Sequence, residues 1–102
     1  MPTYRLKFTV AALAEWKALD GSVKEPLRKL LKKRLLEPYP PGSALKGALS
    51  GCYKIKLRQQ GYRLIYTVQD DVMTVLVLTI NKRENNAVYK SLLKKLTLRA
   101  LY

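Results

Sequence analysis

Two segments in the second half of the chain have apolar residues at every second position, with several cations between them. Residues 52–58 and residues 62–68 each have the pattern of a half-exposed strand, and Gln59-Gln60-Gly61 forms the turn between them. Because a shift of one residue turns a whole strand over, the apolar residues of both strands must share the core face. The same parity places four cations together on the opposite, solvent-facing side: Lys54, Lys56, Arg58 and Arg63.

This cationic face could bind an anion, because a two-residue loop would place Lys56 directly across from Arg63. Like charges in such a pair repel by about 2 to 3 kcal/mol at about 6 Å and an effective dielectric constant of about 20, before solvent screens them. An anion between the strands relieves the repulsion, and a phosphate matches the donors of Lys and Arg. The residues leave open a second interpretation, a solvated strand face in a protein that is basic throughout.

The net charge points to a polyanionic partner. The 102 residues include 20 Lys and Arg against 7 Asp and Glu, which gives a formal charge of +13 and an isoelectric point near 10.1. Solubility of a small domain requires a charge of only about 2 to 8. The excess indicates nucleic acid, an acidic protein or an anionic membrane surface as the partner.

The composition also argues against several kinds of chemistry. The chain has no histidine, the commonest general base and metal ligand, and Cys52 is its single cysteine. With one thiol and scattered carboxylates, we expect no metal site and no cofactor. The apolar stretches are too short to span a membrane and the N-terminus lacks a signal pattern, so we expect a cytoplasmic protein.

The first half of the chain predicts a strand followed by a helical hairpin. Residues 3–10 alternate as a strand does, and residues 11–19 have helical character. Gly21 is the expected left-handed cap of that helix. Ser22-Val23-Lys24-Glu25 has the pattern of a capping box, which predicts that a second helix begins at Ser22.

The second helix carries apolar residues at helical spacing over residues 23–37, and Pro38 is expected to end it. Its other side is strongly basic, and this basic helix face consists of Lys24, Arg28, Lys29, Lys32 and Lys33. It is either a plain solvated surface or a surface that docks on RNA.

Two more elements complete the predicted fold. Residues 72–80 are almost continuously apolar, which is typical of a central strand covered on both faces. A final helix is predicted over residues 84–98. With no repeat and no linker, residues 1–102 are predicted to form a single domain.

A set of short segments, taken together at their spacings, carries a family resemblance: Cys52-Tyr53-Lys54-Ile55-Lys56-Leu57-Arg58, Gly61-Tyr62-Arg63-Leu64, Lys82-Arg83-Glu84 and Val88-Tyr89. They resemble the core of RelE toxins from bacterial toxin–antitoxin systems, within the RelE/ParE superfamily. The resemblance implies an α/β (α+β) fold of the RelE type. In that fold an N-terminal helical hairpin packs on a mainly antiparallel four-stranded sheet, and a C-terminal helix follows.

The resemblance also implies an activity. RelE-like toxins are endoribonucleases that cleave mRNA in the ribosomal A site without a metal, and their active positions correspond here to Lys54, Lys56, Arg63, Arg83 and Tyr89. Crowding by cations lowers the proton affinity of a lysine, which makes Lys54 or Lys56 a candidate base. Arg63 is suited to stabilise the negative charge that develops on the phosphorane. Arg83 is a candidate acid or charge stabiliser, and Tyr89 a candidate to stack on a base or orient the 2′-hydroxyl.

Several binding assignments accompany this activity. Arg58 and Lys82 join the basic helix face as predicted RNA-binding residues. The implied partners are a cognate RelB-like antitoxin, the ribosome with its RNA, and mRNA, with operator DNA reached only through the antitoxin and no membrane. The bacterial or archaeal cytoplasm is the implied location. Two alternatives stay open: a ParE-type toxin that inhibits DNA gyrase, and a non-catalytic basic module that binds nucleic acid.

Overall fold

The computed structural model describes residues 3–82, which contain two α-helices and four strands. In chain order these are β1 (Arg5–Phe8), α1 (Val10–Lys17), α2 (Gly21–Leu36), β2 (Cys52–Leu57), β3 (Tyr62–Gln69) and β4 (Thr74–Lys82). Short 3-10 turns, Gly47–Leu49 and Asp70–Val72, precede β2 and β4. Arg83, Tyr89 and the helix predicted over residues 84–98 lie outside the described residues and stay predictions, as does the extent of the domain over residues 1–102.

The strands form one mixed sheet in the order β1-β4-β3-β2. The pairs β2–β3 and β3–β4 are antiparallel, whereas β1 runs parallel to β4. The helical hairpin on a mainly antiparallel four-stranded sheet is therefore confirmed. β4 is central, as its apolar run predicted, but it begins at Thr74 and reaches Lys82. Val72 instead belongs to the preceding turn and is 54% exposed.

A side-chain cap sets the start of α1. The Thr9 hydroxyl accepts a hydrogen bond from the backbone N–H of Ala12 at 3.1 Å, which satisfies one of the orphan donors of the first turn. Thr9 therefore ends the strand segment, and β1 is shorter than the eight residues predicted. Val10, expected on the apolar side of the strand, is the first helical residue and is 90% exposed.

A second cap corrects the predicted start of α2. The Asp20 carboxylate accepts from the backbone N–H of Ser22 at 3.0 Å, so α2 begins at Gly21 rather than at Ser22. Gly21 is thus the first residue of this helix, without the positive φ of a left-handed cap. The capping-box interpretation of Ser22 was wrong because the aspartate two residues earlier supplies the acceptor. Neither helix within residues 3–82 is long and apolar enough to cross a membrane.

The helices pack on the sheet face that the strand parity assigned to the core. Leu27 and Leu31 of α2 are buried, and they join a cluster with Ile55, Leu64 and other strand residues. Burying a side chain of this size contributes roughly 1.5 to 3 kcal/mol. The shared apolar face of the β2–β3 hairpin is therefore confirmed.

The parity argument implied a purely cationic surface on the opposite sheet face, and the structure shows that this face is partly apolar. Ile65 lies across from Lys54 in the register and is fully buried. It contacts Leu49 of the first 3-10 turn, and further apolar residues pack against the pair: Leu45, Cys52 and Leu78. The segment that precedes β2 therefore covers one end of this face. Of the hairpin cations, the exposed ones, Lys56 and Arg58, lie at the end nearest the hairpin turn.

Candidate functional site

The β2–β3 hairpin places a lysine beside an arginine, as predicted. Lys56 lies directly opposite Arg63, and Arg63 lies opposite Asn81 of β4. Opposed residues on neighbouring strands have Cβ atoms about 4.5 to 5.5 Å apart, so these three side chains form a narrow polar row across the sheet. Asn81 was missed by sequence reasoning because the break after the apolar run was expected at that position.

The turn of the hairpin sets this register. The N–H of Gly61 donates to the carbonyl of Arg58 at 3.3 Å, which leaves Gln59 and Gln60 as the two central residues. Gly61 has a φ of 71°, a conformation that glycine adopts at little cost. Four residues, 58–61, separate β2 from β3 instead of the two expected, and this even-numbered loop gives the same pairing of Lys56 with Arg63.

Exposure differs among the four hairpin cations. Lys56 and Arg58 are exposed, whereas Lys54 and Arg63 are half-buried, and the Nε atom of Arg63 is buried. Partial burial reduces solvent screening, so charges here interact more strongly with a bound anion than charges in open water do. The row therefore combines a reachable lysine with an arginine that the fold holds in place.

A depression of 260 Å³ adjoins the hairpin cations. Its described lining consists of Arg34, Pro41, Gly42, Ser43, Lys54, Lys56 and Arg58. Four of these residues are cations and none is a carboxylate. The depression is therefore an electropositive concavity, which favours a multiply charged anion such as a phosphate group.

One wall of the depression is a tight turn, although the sequence had suggested only an irregular connection there. The N–H of Ser43 donates to the carbonyl of Pro40 at 3.3 Å, and Gly42 has a φ of 79°. A proline followed by a glycine with positive φ is the signature of a type II turn. The N–H of Lys54 donates to the carbonyl of Ser43 at 2.9 Å, which fixes this turn to the outer edge of β2.

Arg34 is a member of the site that the sequence prediction missed. It lies near the C-terminal end of α2, and its Nη1 donates to the carbonyl of Lys54 at 3.0 Å and to the hydroxyl of Tyr66 at 2.8 Å. That hydroxyl in turn donates to the carbonyl of Pro38 at 2.6 Å. Burial raises the pKa of Tyr66 and the Arg34 guanidinium opposes this effect, so the hydroxyl remains a donor at neutral pH.

A signal for Arg34 was present in the sequence. It follows Leu27 and Leu31 at spacings of seven and three residues, which places it on the buried stripe of α2 rather than on the basic helix face. A cation on an apolar stripe must find partners, because burying an unpaired charge is costly. Here the partners are a strand carbonyl and a tyrosine hydroxyl.

The basic helix face lies apart from the depression, since none of its members lines it. Arg28 forms a salt bridge with Glu25, and its guanidinium carbon lies 5.8 Å from the centre of the Trp16 ring. The Nζ of Lys24 lies 6.0 Å from the same ring. Two of the five cations thus already pack on an aromatic face. The other three, Lys29, Lys32 and Lys33, are exposed.

Lys82 does not join the polar row. The register pairs it with Tyr62, whose ring packs against the core on the helix side of the sheet. Lys82 is exposed, but parity places it on the other face from Arg63. No group of three or more His, Cys, Asp or Glu side chains within residues 3–82 converges in a way that could hold a metal ion.

Comparisons with known proteins show which family the chain matches. Residues 6–87 match a family described as "ParE toxin of type II toxin-antitoxin system, parDE". The mRNA interferase toxin RelE of Escherichia coli K12 is 42% identical over 93 residues, which cover 91% of this chain and 97% of the relative.

Two solved structures are also similar. The isolated E. coli RelE toxin matches with a TM-score of 0.76 and 41% identity, covering 91% of this chain and 98% of the other. The toxin in the intact E. coli RelBE toxin–antitoxin complex matches with a TM-score of 0.75 and 43% identity, covering 80% and 99%. The chain therefore belongs to the RelE/ParE superfamily of toxins from type II toxin–antitoxin systems.

Proposed function

We propose that this protein is a RelE-type mRNA interferase, an endoribonuclease that cleaves mRNA in the ribosomal A site and so inhibits translation. The single observation that carries the proposal is the pairing of Lys56 with Arg63 beside a depression lined by further cations. Opposed cations repel each other across a strand pair, and the phosphate backbone of RNA is a polyanion that binds such a cluster. The identity of 42% with a protein named mRNA interferase toxin supports the same activity.

The proposed reaction is an internal attack of the 2′-hydroxyl on the adjacent phosphorus, with no metal. Lys54 or Lys56 accepts the 2′-hydroxyl proton, and the oxygen forms a bond to phosphorus as the bond to the 5′-oxygen breaks. Arg63 remains protonated and stabilises the extra charge of the phosphorane, since a preorganised donor acts best where charge develops. The products carry a 2′,3′-cyclic phosphate and a free 5′-hydroxyl.

Two proposed members of the machinery lie outside the described residues. Arg83 is assigned to the leaving 5′-oxygen, which it stabilises or protonates. Tyr89 is assigned to stacking on a splayed base or to orienting the 2′-hydroxyl. Both assignments rest on the family resemblance of Lys82-Arg83-Glu84 and Val88-Tyr89.

The ribosome supplies what the small domain lacks, which is alignment of the RNA strand. Holding a nucleophile in line with its target is worth roughly 7 to 11 kcal/mol. The basic helix face, with Arg58 and Lys82, provides the cations proposed to dock on ribosomal RNA and mRNA. Free RNA is therefore expected to be a poor substrate.

A cognate RelB-like antitoxin is the proposed partner that neutralises the toxin, and operator DNA is reached only through it. A groove of 330 Å³ lies between β1 and the helices, lined by apolar residues and by Arg28 and Lys32. An acidic, amphipathic segment that folds on binding suits such a surface. The cytoplasm is the proposed location, since ribosomes and mRNA are found there.

A ParE-type inhibitor of DNA gyrase is the second candidate, because the matching family is described as a ParE toxin. Such an inhibitor has no need for cations that converge across a hairpin. A function as a plain nucleic-acid-binding module also does not explain why these cations converge across the hairpin.

The test is to incubate the protein with ribosomes programmed with a defined mRNA and to analyse the ends of the fragments. A parallel assay measures DNA supercoiling by gyrase. We expect cleavage with 2′,3′-cyclic phosphate or 3′-phosphate ends and unimpaired gyrase. Lys7→Ala, which removes an exposed cation from β1, serves as the control that retains full activity.

Two results would contradict the proposal. Fragments with 3′-hydroxyl and 5′-phosphate ends would indicate a metal-type nuclease. Inhibition of gyrase without any cleavage of mRNA would assign the protein to the ParE type.

A further inference from the structure

We propose that the depression beside the hairpin is a second phosphate-binding subsite, which holds the nucleotide next to the cleaved one, and that Arg34 is its anchoring cation. This inference rests on the proposed function, because it names a further contact between the same site and single-stranded RNA. The subsite is built by α2, by the type II turn at Pro40–Ser43 and by the outer edge of β2.

Arg34 is held in place while much of its binding capacity remains available. Both of its hydrogen bonds to residues 3–82 leave from Nη1 and reach Lys54 and Tyr66. A guanidinium has five N–H donors, so those on Nη2 and Nε remain for a ligand. Arg34 also lines the depression, so its guanidinium is the group that the proposal assigns to an anion that enters there. A fixed fork of donors loses little conformational entropy when it binds phosphate.

The charge of the depression favours phosphate over neutral ligands. Three further cations line it with Arg34, namely Lys54, Lys56 and Arg58, and no carboxylate lines it among residues 3–82. The Pro40–Ser43 turn restricts the depression on one side, and the hydroxyl of Ser43 is already used, since it donates to the carbonyl of Pro40 at 2.6 Å. The selectivity of the depression is therefore set by positive charge rather than by a network of neutral donors.

The spacing of the cations fits two consecutive phosphates. Lys56 belongs to both regions, because it pairs with Arg63 in the polar row and lines the depression beside Arg34. Residues two apart on a strand are separated by about 6.8 Å, which is comparable with the distance between successive phosphates of an extended single strand. With one phosphate at the row, the proposal places its neighbour in the depression, whose lining includes Arg34 and Lys54.

The experiment measures binding without chemistry. A 2′-deoxy tetranucleotide cannot be cleaved by internal attack, and its affinity for the full-length protein is determined by fluorescence anisotropy at several salt concentrations. We expect Arg34→Met and Arg58→Ala each to weaken binding about tenfold. Each should also reduce the slope of log K against log salt by about 0.7, the value for one phosphate of a single strand. Lys17→Met, at an exposed cation of α1, is the matched control and should bind as the wild type does.

Tyr66→Phe separates charge from structure. This variant removes a hydrogen bond from Arg34 but keeps its positive charge and its bond to Lys54. If the subsite binds phosphate, Tyr66→Phe retains most of the affinity, whereas a merely structural role predicts losses as large as those of Arg34→Met. Arg58 is exposed, so its variant remains informative even where Arg34→Met is too unstable to study.

The outcomes distinguish this inference from the proposed function. Unchanged affinity in Arg34→Met and Arg58→Ala, or no measurable binding by the wild type, overturns the subsite and leaves cleavage on ribosomes untouched. Wild-type binding that depends on both arginines, without cleavage on ribosomes, supports the subsite and overturns the proposed function. If the two arginine variants bind the tetranucleotide as the wild type does but bind an acidic antitoxin peptide more weakly, the depression belongs to a protein partner. That result would overturn the inference.

Discussion

Two cationic regions border α2, and they differ in what surrounds the charges. On the basic helix face, Arg28 has an acidic partner in Glu25, and both Arg28 and Lys24 lie near the Trp16 ring. The other region is the depression, whose described lining has four cations and no carboxylate. The first region is already partly neutralised by the protein itself. The described lining of the second has no acidic residue that would neutralise its charge.

The contrast shows that a count of positive residues does not locate a site. Exposed cations on a helix are screened by salt, and each long side chain loses conformational entropy when it is held in one geometry. Cations on a hairpin are positioned by the backbone register, so the cost of bringing them together is met during folding. The hairpin cations are therefore the better candidates for catalysis. The exposed cations of the helix are better suited to a general electrostatic attraction to RNA.

The largest expected effect comes from substitutions that disrupt the polar row. Lys56→Ala and Arg63→Ala should each slow single-turnover cleavage on programmed ribosomes by about 10²- to 10³-fold, the usual cost of losing one preorganised charge stabiliser. Both variants should still unfold cooperatively on heating, because neither side chain belongs to the buried apolar core. Lys54→Ala and Arg83→Ala are expected to slow cleavage as well. Wild-type rates in all four variants would remove the row from the mechanism.

A smaller effect is expected on the basic helix face. Replacing Lys29, Lys32 and Lys33 with Gln should weaken binding to ribosomes and reduce the slope of log K against log salt by up to about 2 to 3. The rate at saturating ribosomes should stay unchanged, because uniform binding affects the half-saturating concentration alone. Titrations at two salt concentrations measure both quantities. An unaltered slope would make this face a plain solvated surface.

Tyr66→Phe tests whether the support beneath Arg34 serves stability more than catalysis. The hydroxyl lies in the core and bridges Arg34 and the carbonyl of Pro38, so its loss should lower the free energy of unfolding by about 1 to 2 kcal/mol. Urea denaturation measures this change, and the saturated cleavage rate should remain near that of the wild type. A large loss of that rate at unchanged stability would reverse the assignment.

The smallest effect concerns Asp70, which lies in the turn before β4. Its carboxylate accepts from the hydroxyls of Tyr39 and Tyr4, and these bonds lower the pKa of Asp70. A lowered folded-state pKa contributes stability above the ordinary aspartate value of about 3.9, and this contribution is lost as pH falls through the folded-state pKa. Asp70→Asn should therefore flatten the fall of stability below about pH 4 in acid titrations, without affecting cleavage. An unchanged acid titration would show that these bonds contribute little.

The hairpin was predictable in detail because its pattern is local. Strict alternation determines which side chains share a face, and the Gln59-Gln60-Gly61 turn determines which residues oppose each other. Helix starts were less predictable, since Asp20 and Ser22 are both good cap residues and the backbone path decides between them. The end of β4 was missed at Asn81 because its pairing with β3 outweighs the weak strand propensity of asparagine.

The sequence by itself determined the element order, the core face of the hairpin, the pairing of Lys56 with Arg63 and the strong positive charge. Each depends on side-chain period, a short turn or composition. Tertiary structure alone decided that Arg34 meets Lys54 and Tyr66, and that the segment before β2 covers one end of the cationic face. These contacts join residues 16 to 32 positions apart. Such distant contacts follow from how helices and loops dock on the sheet, which no local pattern encodes.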